Sequence, residues 1–272
     1  MQDEWRGRVG ASWAEEWRRT DRSFAALTER LLQYTRETCF TNVLDVGCGA
    51  GELSLVLALD RSSARVKGVD ISSHLIEVAR ERATDIANVT FEEGDAAQWR
   101  PAEGFAPDLL VSRHGVMFFR DPQAAFANLA DLAAPQAALI FSCFRDRGHN
   151  PFFAEVARLL PTPPVHGDPY EPGPFAFADA ARVEAILDAA GWHKIKFEPY
   201  DFAMVAGSGD DPVEDAVGYF SRIGPAARAL VEFEPQERVR FADRVRALAE
   251  RNLSNGVVSL RAAAWIVTGE KA

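Results

Sequence analysis

The chain has 272 residues, 47% of them hydrophobic and 26% charged, with a formal net charge of −10. That apolar share is enough for a sizeable core and excludes global disorder. The negative balance argues against a protein that tracks a nucleic-acid backbone.

In chain order, residues 5–38 predict helix, because Trp5, Trp13, Trp17, Phe24, Leu27 and Leu31 recur at roughly helical spacing between Glu, Arg and Thr. From Val43 the pattern alternates. Strands are expected at 42–46, 66–70, 89–92, 108–112 and 138–144, with helices at 52–59, 73–84 and 122–133. Such alternation argues for a mostly parallel sheet covered on both faces. Residues 145–176 carry seven prolines and read as a loop-rich insertion with one short helix near 152–160. A helix at 178–190 ends at Gly191, and a strand follows at 193–205. Residues 211–252 are expected to be helical, broken near Gly224-Pro225 and Pro235, before a last strand at 257–268. One domain accommodates all of this: a helical lid (1–38), a ligand-binding core (40–145), the Pro-rich insertion (146–177), and a C-terminal half (178–272) with its own helical insertion.

Val43-Leu-Asp-Val-Gly-Cys-Gly-Ala-Gly51 is an apolar strand running into three glycines at alternate positions. Such a turn before a helix lets a ligand approach bare backbone. The dinucleotide fingerprint has its third glycine three residues after the second, where this chain has Glu52. Asp45, two residues before the first glycine, disfavours a pyrophosphate and suits a ligand with an ammonium group. Nor does Gly-Lys-Ser/Thr, the end of a P-loop, follow. Asp70 ends the second strand 23 residues after Gly47, the spacing of a carboxylate that holds ribose hydroxyls. Asp95, after the third strand, could accept from an adenine amine.

These blocks, in this order, resemble the class I S-adenosylmethionine-dependent methyltransferases. Val43–Gly51 is similar to the family's first motif, Gly68–Ser72 to its second, Gly94–Ala96 to its third and Asp108–Phe119 to its fourth. Ser112 to Phe119 is closest to the ubiquinone/menaquinone-biosynthesis-like, small-molecule branch, although His114 stands where that branch usually has an apolar or aromatic residue. The resemblance implies an α/β, Rossmann-like fold with a seven-stranded sheet whose last strand is antiparallel. It implies S-adenosyl-L-methionine as cofactor and S-adenosyl-L-homocysteine as product. By the same resemblance Gly47, Cys48, Gly49 and Gly51 would line the methionine part, with Asp45 near its amino group. Asp70 would bind the ribose, Ile71 would lie against the adenine, and Asp95 and Ala96 would meet its edge. The backbone at Ser112 and Arg113 would approach the methionyl group.

A general base is needed only for a protonated, weak acceptor. His114 is the first candidate, because an ordinary imidazole titrates near neutrality; its alternative is a packing or substrate-contact residue. Trp13, Trp17, His149, His166 and Tyr170 are candidates for the acceptor pocket, a small molecule being the expected acceptor. The competing readings are a non-catalytic protein that binds the donor or its product, and a nicotinamide-dependent oxidoreductase. Cys39, Cys48 and Cys143 form no Cys-x-x-Cys or His/Cys cluster, so no metal site or disulfide framework is expected. No apolar run approaches the ~20 residues of a membrane span. The expectation is a cytoplasmic monomer or homodimer without a nucleic-acid partner.

Overall fold

A computed structural model of the protein describes residues 2–101, 104–162 and 167–272. Parallel strands β1 (Asn42–Val46), β2 (Arg65–Asp70), β3 (Val89–Glu93), β4 (Leu109–Arg113) and β5 (Ala138–Phe144) form most of one sheet. They are followed by β6 (Trp192–Gly207), a two-residue β7 (Leu253–Ser254) and β8 (Val257–Lys271). The order is β3-β2-β1-β4-β5-β8-β6, with β7 paired to β8 off that path. The C-terminal β8 lies antiparallel between β5 and β6, which gives the seven-stranded frame with a reversed last strand. The unexpected β7 is a hairpin return, in which Leu253 and Ser254 pair with Val258 and Val257.

The crossover helices are α4 (Glu52–Asp60), α5 (Ser73–Arg82) and α6 (Pro122–Leu132). Their starts follow local chemistry. Ser72 accepts the Leu75 N–H at the start of α5, and Asp121 accepts that of Ala124 ahead of Pro122 in α6. β1 and β4 are buried nearly throughout, Val43, Leu44, Leu109 and Leu110 being fully enclosed, as parallel strands covered on both faces require. The chain runs outward through β2 and β3, then returns to place β4 on the other side of β1. This reversal opens a crevice beyond the carboxyl ends of β1 and β4.

The single N-terminal helix expected over 5–38 is three: α1 (Gln2–Arg6), α2 (Arg8–Glu15) and α3 (Trp17–Arg36), with breaks at Gly7 and Glu16. The breaks let the chain turn over the crevice. The apolar spacing of Trp5, Trp13 and Trp17 therefore serves short segments that converge on a cavity, and α3 alone buries a continuous stripe with Phe24, Leu27 and Leu31. The insertion helix is α7 (Pro151–Arg158), and α8 (Ala180–Ala189) precedes β6. The 211–252 stretch breaks where its prolines predict, into α9 (Pro212–Arg222), α10 (Pro225–Ala229) and α11 (Pro235–Arg251). Among the described residues no helix is long and apolar enough to cross a membrane.

Candidate active site

A cavity of about 470 Å³ lies at the switch point. Its floor is the turn after β1. Gly47 and Gly49 have φ +67° and +56°, values that L side chains rarely adopt. A Cβ on Gly47 would stand 2.8 Å from the Gly115 Cα, so the turn is pressed against the segment after β4. The N–H groups of Gly47 and Cys48 donate to the Val69 carbonyl, at 2.8 and 3.2 Å. Asp70, at the end of β2, accepts from the Gly49 N–H and the Ser72 N–H, each at 2.9 Å. It thereby ties the turn to the start of α5. Burial raises its pKa, and the backbone N–H groups oppose that. Asp45 is buried and accepts from the Ser54 hydroxyl at 2.6 Å. Burial raises its pKa to about 6, against the Ser54 bond and the Arg113 charge.

The opposite wall is aromatic. Trp5 packs edge-on to Trp13 and Phe118, at 5.3 and 5.1 Å, and Phe153 packs edge-on to Phe144 and Phe175, at 4.8 and 5.5 Å. Between floor and wall sits His114. It has φ +67°, starts the short 3₁₀ turn Gly115–Phe118, and stacks on Phe144 at 4.0 Å. Its Nδ1 lies 3.4 Å from the Ser142 hydroxyl, and its Nε2 has no partner among the described residues. Charge ties α3 to the rim of the cavity. Arg113 binds Glu52, the Thr28 hydroxyl at 2.8 Å and, at 3.4 Å, Asp21. Arg82 pairs with Asp21 at 2.8 Å, donates to the Ala50 carbonyl at 2.8 Å and lies 3.9 Å over the Trp17 ring.

A family model described as a methyltransferase domain matches residues 40–161. A trans-aconitate 2-methyltransferase of Paracidovorax citrulli is 28% identical over 202 residues, which are 68% of this chain and 74% of that protein. Over these residues the chain resembles the class I S-adenosylmethionine-dependent methyltransferases. Aklanonic acid methyltransferase DauC of Streptomyces sp. strain C5 is 33% identical over 146 residues, spanning 51% of this chain and 64% of that enzyme. A malonyl-[acyl-carrier protein] O-methyltransferase of Brevibacillus brevis matches over 120 residues at 28%, 43% of each chain. The fold is that of a putative methyltransferase of Bacillus halodurans, with a TM-score of 0.57 and 15% identity over 90% of this chain and 98% of that one. These matches do not single out the quinone-biosynthesis branch.

The cavity suits S-adenosylmethionine. Its volume lies within the range of ~300–1,000 Å³ for small-molecule sites. A Cβ on Gly49 would meet nothing within 4 Å, so that backbone faces open space. Asp45, Gly47, Cys48, Gly49, Asp70, Ile71, Asp95, Ala96 and Arg113 all line the cavity, as do Trp13 and Trp17.

Four expectations need correction. Gly51 is not at the cavity surface; with φ +87° it caps α4, and a Cβ there would meet the Phe91 Cζ at 2.8 Å, so it serves helix–sheet packing. Ser112 also lies outside the lining, because its hydroxyl donates to the Val46 carbonyl at 2.7 Å and accepts the Gly115 N–H at 3.1 Å. His149 and Tyr170 are exposed and outside the cavity; Tyr170 lies under the Arg182 guanidinium at 4.3 Å. His166 lies outside the described residues. Arg147, Phe175 and Asp21, which line the cavity, gave no sequence signal, because each reaches it from a distant segment.

The fourth correction concerns His114. Burial, and then the neighbouring Arg113 charge, lowers its pKa to about 3, so it is a neutral and weakly basic group at pH 7. The unfolded chain protonates this imidazole below about pH 6.5 and the native one only near pH 3. Its contribution to stability is therefore lost as pH falls across that window. His114→Asn, a residue that tolerates positive φ, is expected to remove on the order of 1–2 kcal/mol of the stability loss between pH 7 and 5. Urea unfolding at pH 5, 6 and 7 measures it; parallel pH curves for both proteins would contradict the burial argument.

Proposed function

We propose that this methyltransferase moves a methyl group from S-adenosylmethionine to a small organic acceptor held against the aromatic wall. When bound, the donor supplies an already activated methyl group. The chain's own task is then to align the acceptor and exclude water, and orientation can account for roughly 7–11 kcal/mol of a barrier. In this reading Asp70 receives the ribose hydroxyls, Ile71 flanks the adenine, and Asp95 and Ala96 meet its edge. Gly47, Cys48 and Gly49 face the methionine part, and Asp45 balances its ammonium group. Gly51 and Ser112 act through the shape of the backbone. His114 contributes a neutral, partnerless Nε2 beside the acceptor rather than a base that titrates near neutrality.

The observation that carries this reading is continuity: the glycine turn and the aromatic wall line one cavity. The relatives, named for trans-aconitate, aklanonic acid and malonyl-[acyl-carrier protein], support a small organic acceptor. Glu52, engaged with Arg113 where a dinucleotide fold needs glycine, speaks against the nicotinamide alternative. The reading further takes the protein as a cytoplasmic monomer or homodimer without nucleic-acid substrate, in keeping with its net charge of −10. Calorimetry with S-adenosylhomocysteine, followed by an acceptor screen scored by release of that product, tests it. Folded protein that gives no binding heat and no product would refute it.

A further inference from the structure

Four arginines line the cavity, and they differ in what they hold. Arg113 is spent on Glu52, Asp21 and Thr28, and Arg222 on Glu15 and Glu16. Arg147 has neither a hydrogen-bond nor an ion-pair partner among the described residues. Its guanidinium lies 4.6 Å over the Phe175 ring, which fixes one face and leaves its N–H edge free. The neighbouring Asp146 is turned to its own backbone, where it accepts the Gly148 N–H at 2.7 Å. Arg8, at the exposed start of α2, has no ion-pair or hydrogen-bond partner among the described residues and adds positive charge at the same cavity.

The turn that carries Arg147 is held firmly. The buried Asn150 donates to the carbonyls of Arg145, Asp146 and Ala263, at 3.0, 3.1 and 3.2 Å, and accepts the Ala263 N–H at 2.8 Å. Asp146 acts on it through space but forms no ion pair with it, so an oriented, half-buried guanidinium beside the aromatic wall is a receptor for an anion.

We infer that Arg147 is the specificity-determining anchor for the acceptor, and that the acceptor carries a carboxylate. The inference rests on the methyl-transfer reading above. Planar, bidentate recognition by a guanidinium matches a carboxylate in an apolar surround. The chemistry also fits a site with so weak a histidine, because a carboxylate is already ionised at pH 7 whereas a phenol, with a pKa of ~10, is not. A lone pair of one carboxylate oxygen forms the new O–CH₃ bond as the S–CH₃ bond breaks, its electron pair staying on sulfur. A sulfonium and a carboxylate become a neutral thioether and an ester, and no proton moves.

The test is calorimetry on protein saturated with S-adenosylhomocysteine. Two probe pairs are used: 4-phenylbutanoate against 4-phenylbutanamide, and glutarate against glutaramide. In the wild type at least one carboxylate is expected to bind about tenfold or more tightly than its amide. Arg147→Gln should erase that preference and Arg147→Lys should keep part of it, both with S-adenosylhomocysteine affinity unchanged, which also reports correct folding. Equal affinity for acid and amide in both pairs, or a preference that survives in Arg147→Gln, overturns the inference. Failure of the wild type to bind S-adenosylhomocysteine would instead strike at the methyl-transfer reading.

Discussion

Arg113→Ala should destabilise the protein by roughly 3–5 kcal/mol, the usual cost of removing one partner from a buried ionic cluster. Glu52 and Asp21, whose side chains are 18% and 13% exposed, would lose a shared counter-ion, and Asp21 would keep only Arg82. Burial already pulls the Glu52 carboxyl above its ordinary pKa, with Arg113 opposing, so part of the loss would appear as a proton taken up by Glu52. By the scaling for large domains this corresponds to a fall in Tm of ~6–15 °C. Because Asp21 and Thr28 belong to α3 while Glu52 opens α4, the variant should also loosen α3 and weaken S-adenosylhomocysteine binding. Arg113→Met combined with Glu52→Gln, which removes both charges, should recover much of the stability. A Tm within 2 °C of wild type for Arg113→Ala would show that the cluster does not hold α3 in place.

The second large effect concerns the donor site. Asp70→Ala is expected to raise the Kd for S-adenosylhomocysteine ~100-fold, since hydrogen bonds to charged groups are worth ~1.5–3 kcal/mol each and 1.4 kcal/mol is tenfold. Two causes act together. The ribose hydroxyls would lose their acceptor, and the Gly49 and Ser72 N–H groups, now held at 2.9 Å, would lose theirs. Asp70→Asn keeps the shape but replaces one accepting oxygen by a donor, so it should fall between the two. Calorimetry on each variant, with circular dichroism to show an intact fold, reads the series. An unchanged Kd in Asp70→Ala would remove the ribose from this end of β2.

The corrections follow a pattern. Gly47 and Gly51 are equivalent in the motif, yet the first faces the cavity and the second faces Phe91, because Gly51 already caps α4 and is turned toward the sheet. Tyr170 and His149 have suitable chemistry in the right insertion, but the fold turns them to solvent and brings in Arg147 and Phe175 from the same stretch. His114 was legible as a residue at the cavity. Its enclosure between Phe24 and Phe144, which sets its protonation, was not.

The sequence by itself determined the alternation of strand and helix, the glycine turn after β1, and the acids at the ends of β1 and β2. Each of these depends on neighbouring residues and on spacings of a few turns, so the glycine-turn half of the cavity could be read along the chain. Only the tertiary structure decided the aromatic half. Its wall is assembled from α1, α2, the end of β4, the turn before α7 and the Pro174-Phe175 segment, which lie far apart in sequence. Which charges are neutralised there and which are left free depends on pairings such as Arg113 with Glu52 and Asp21, across α3, α4 and the sheet. Local pattern carries no information about such pairings, because burial and charge partners are properties of the packed chain.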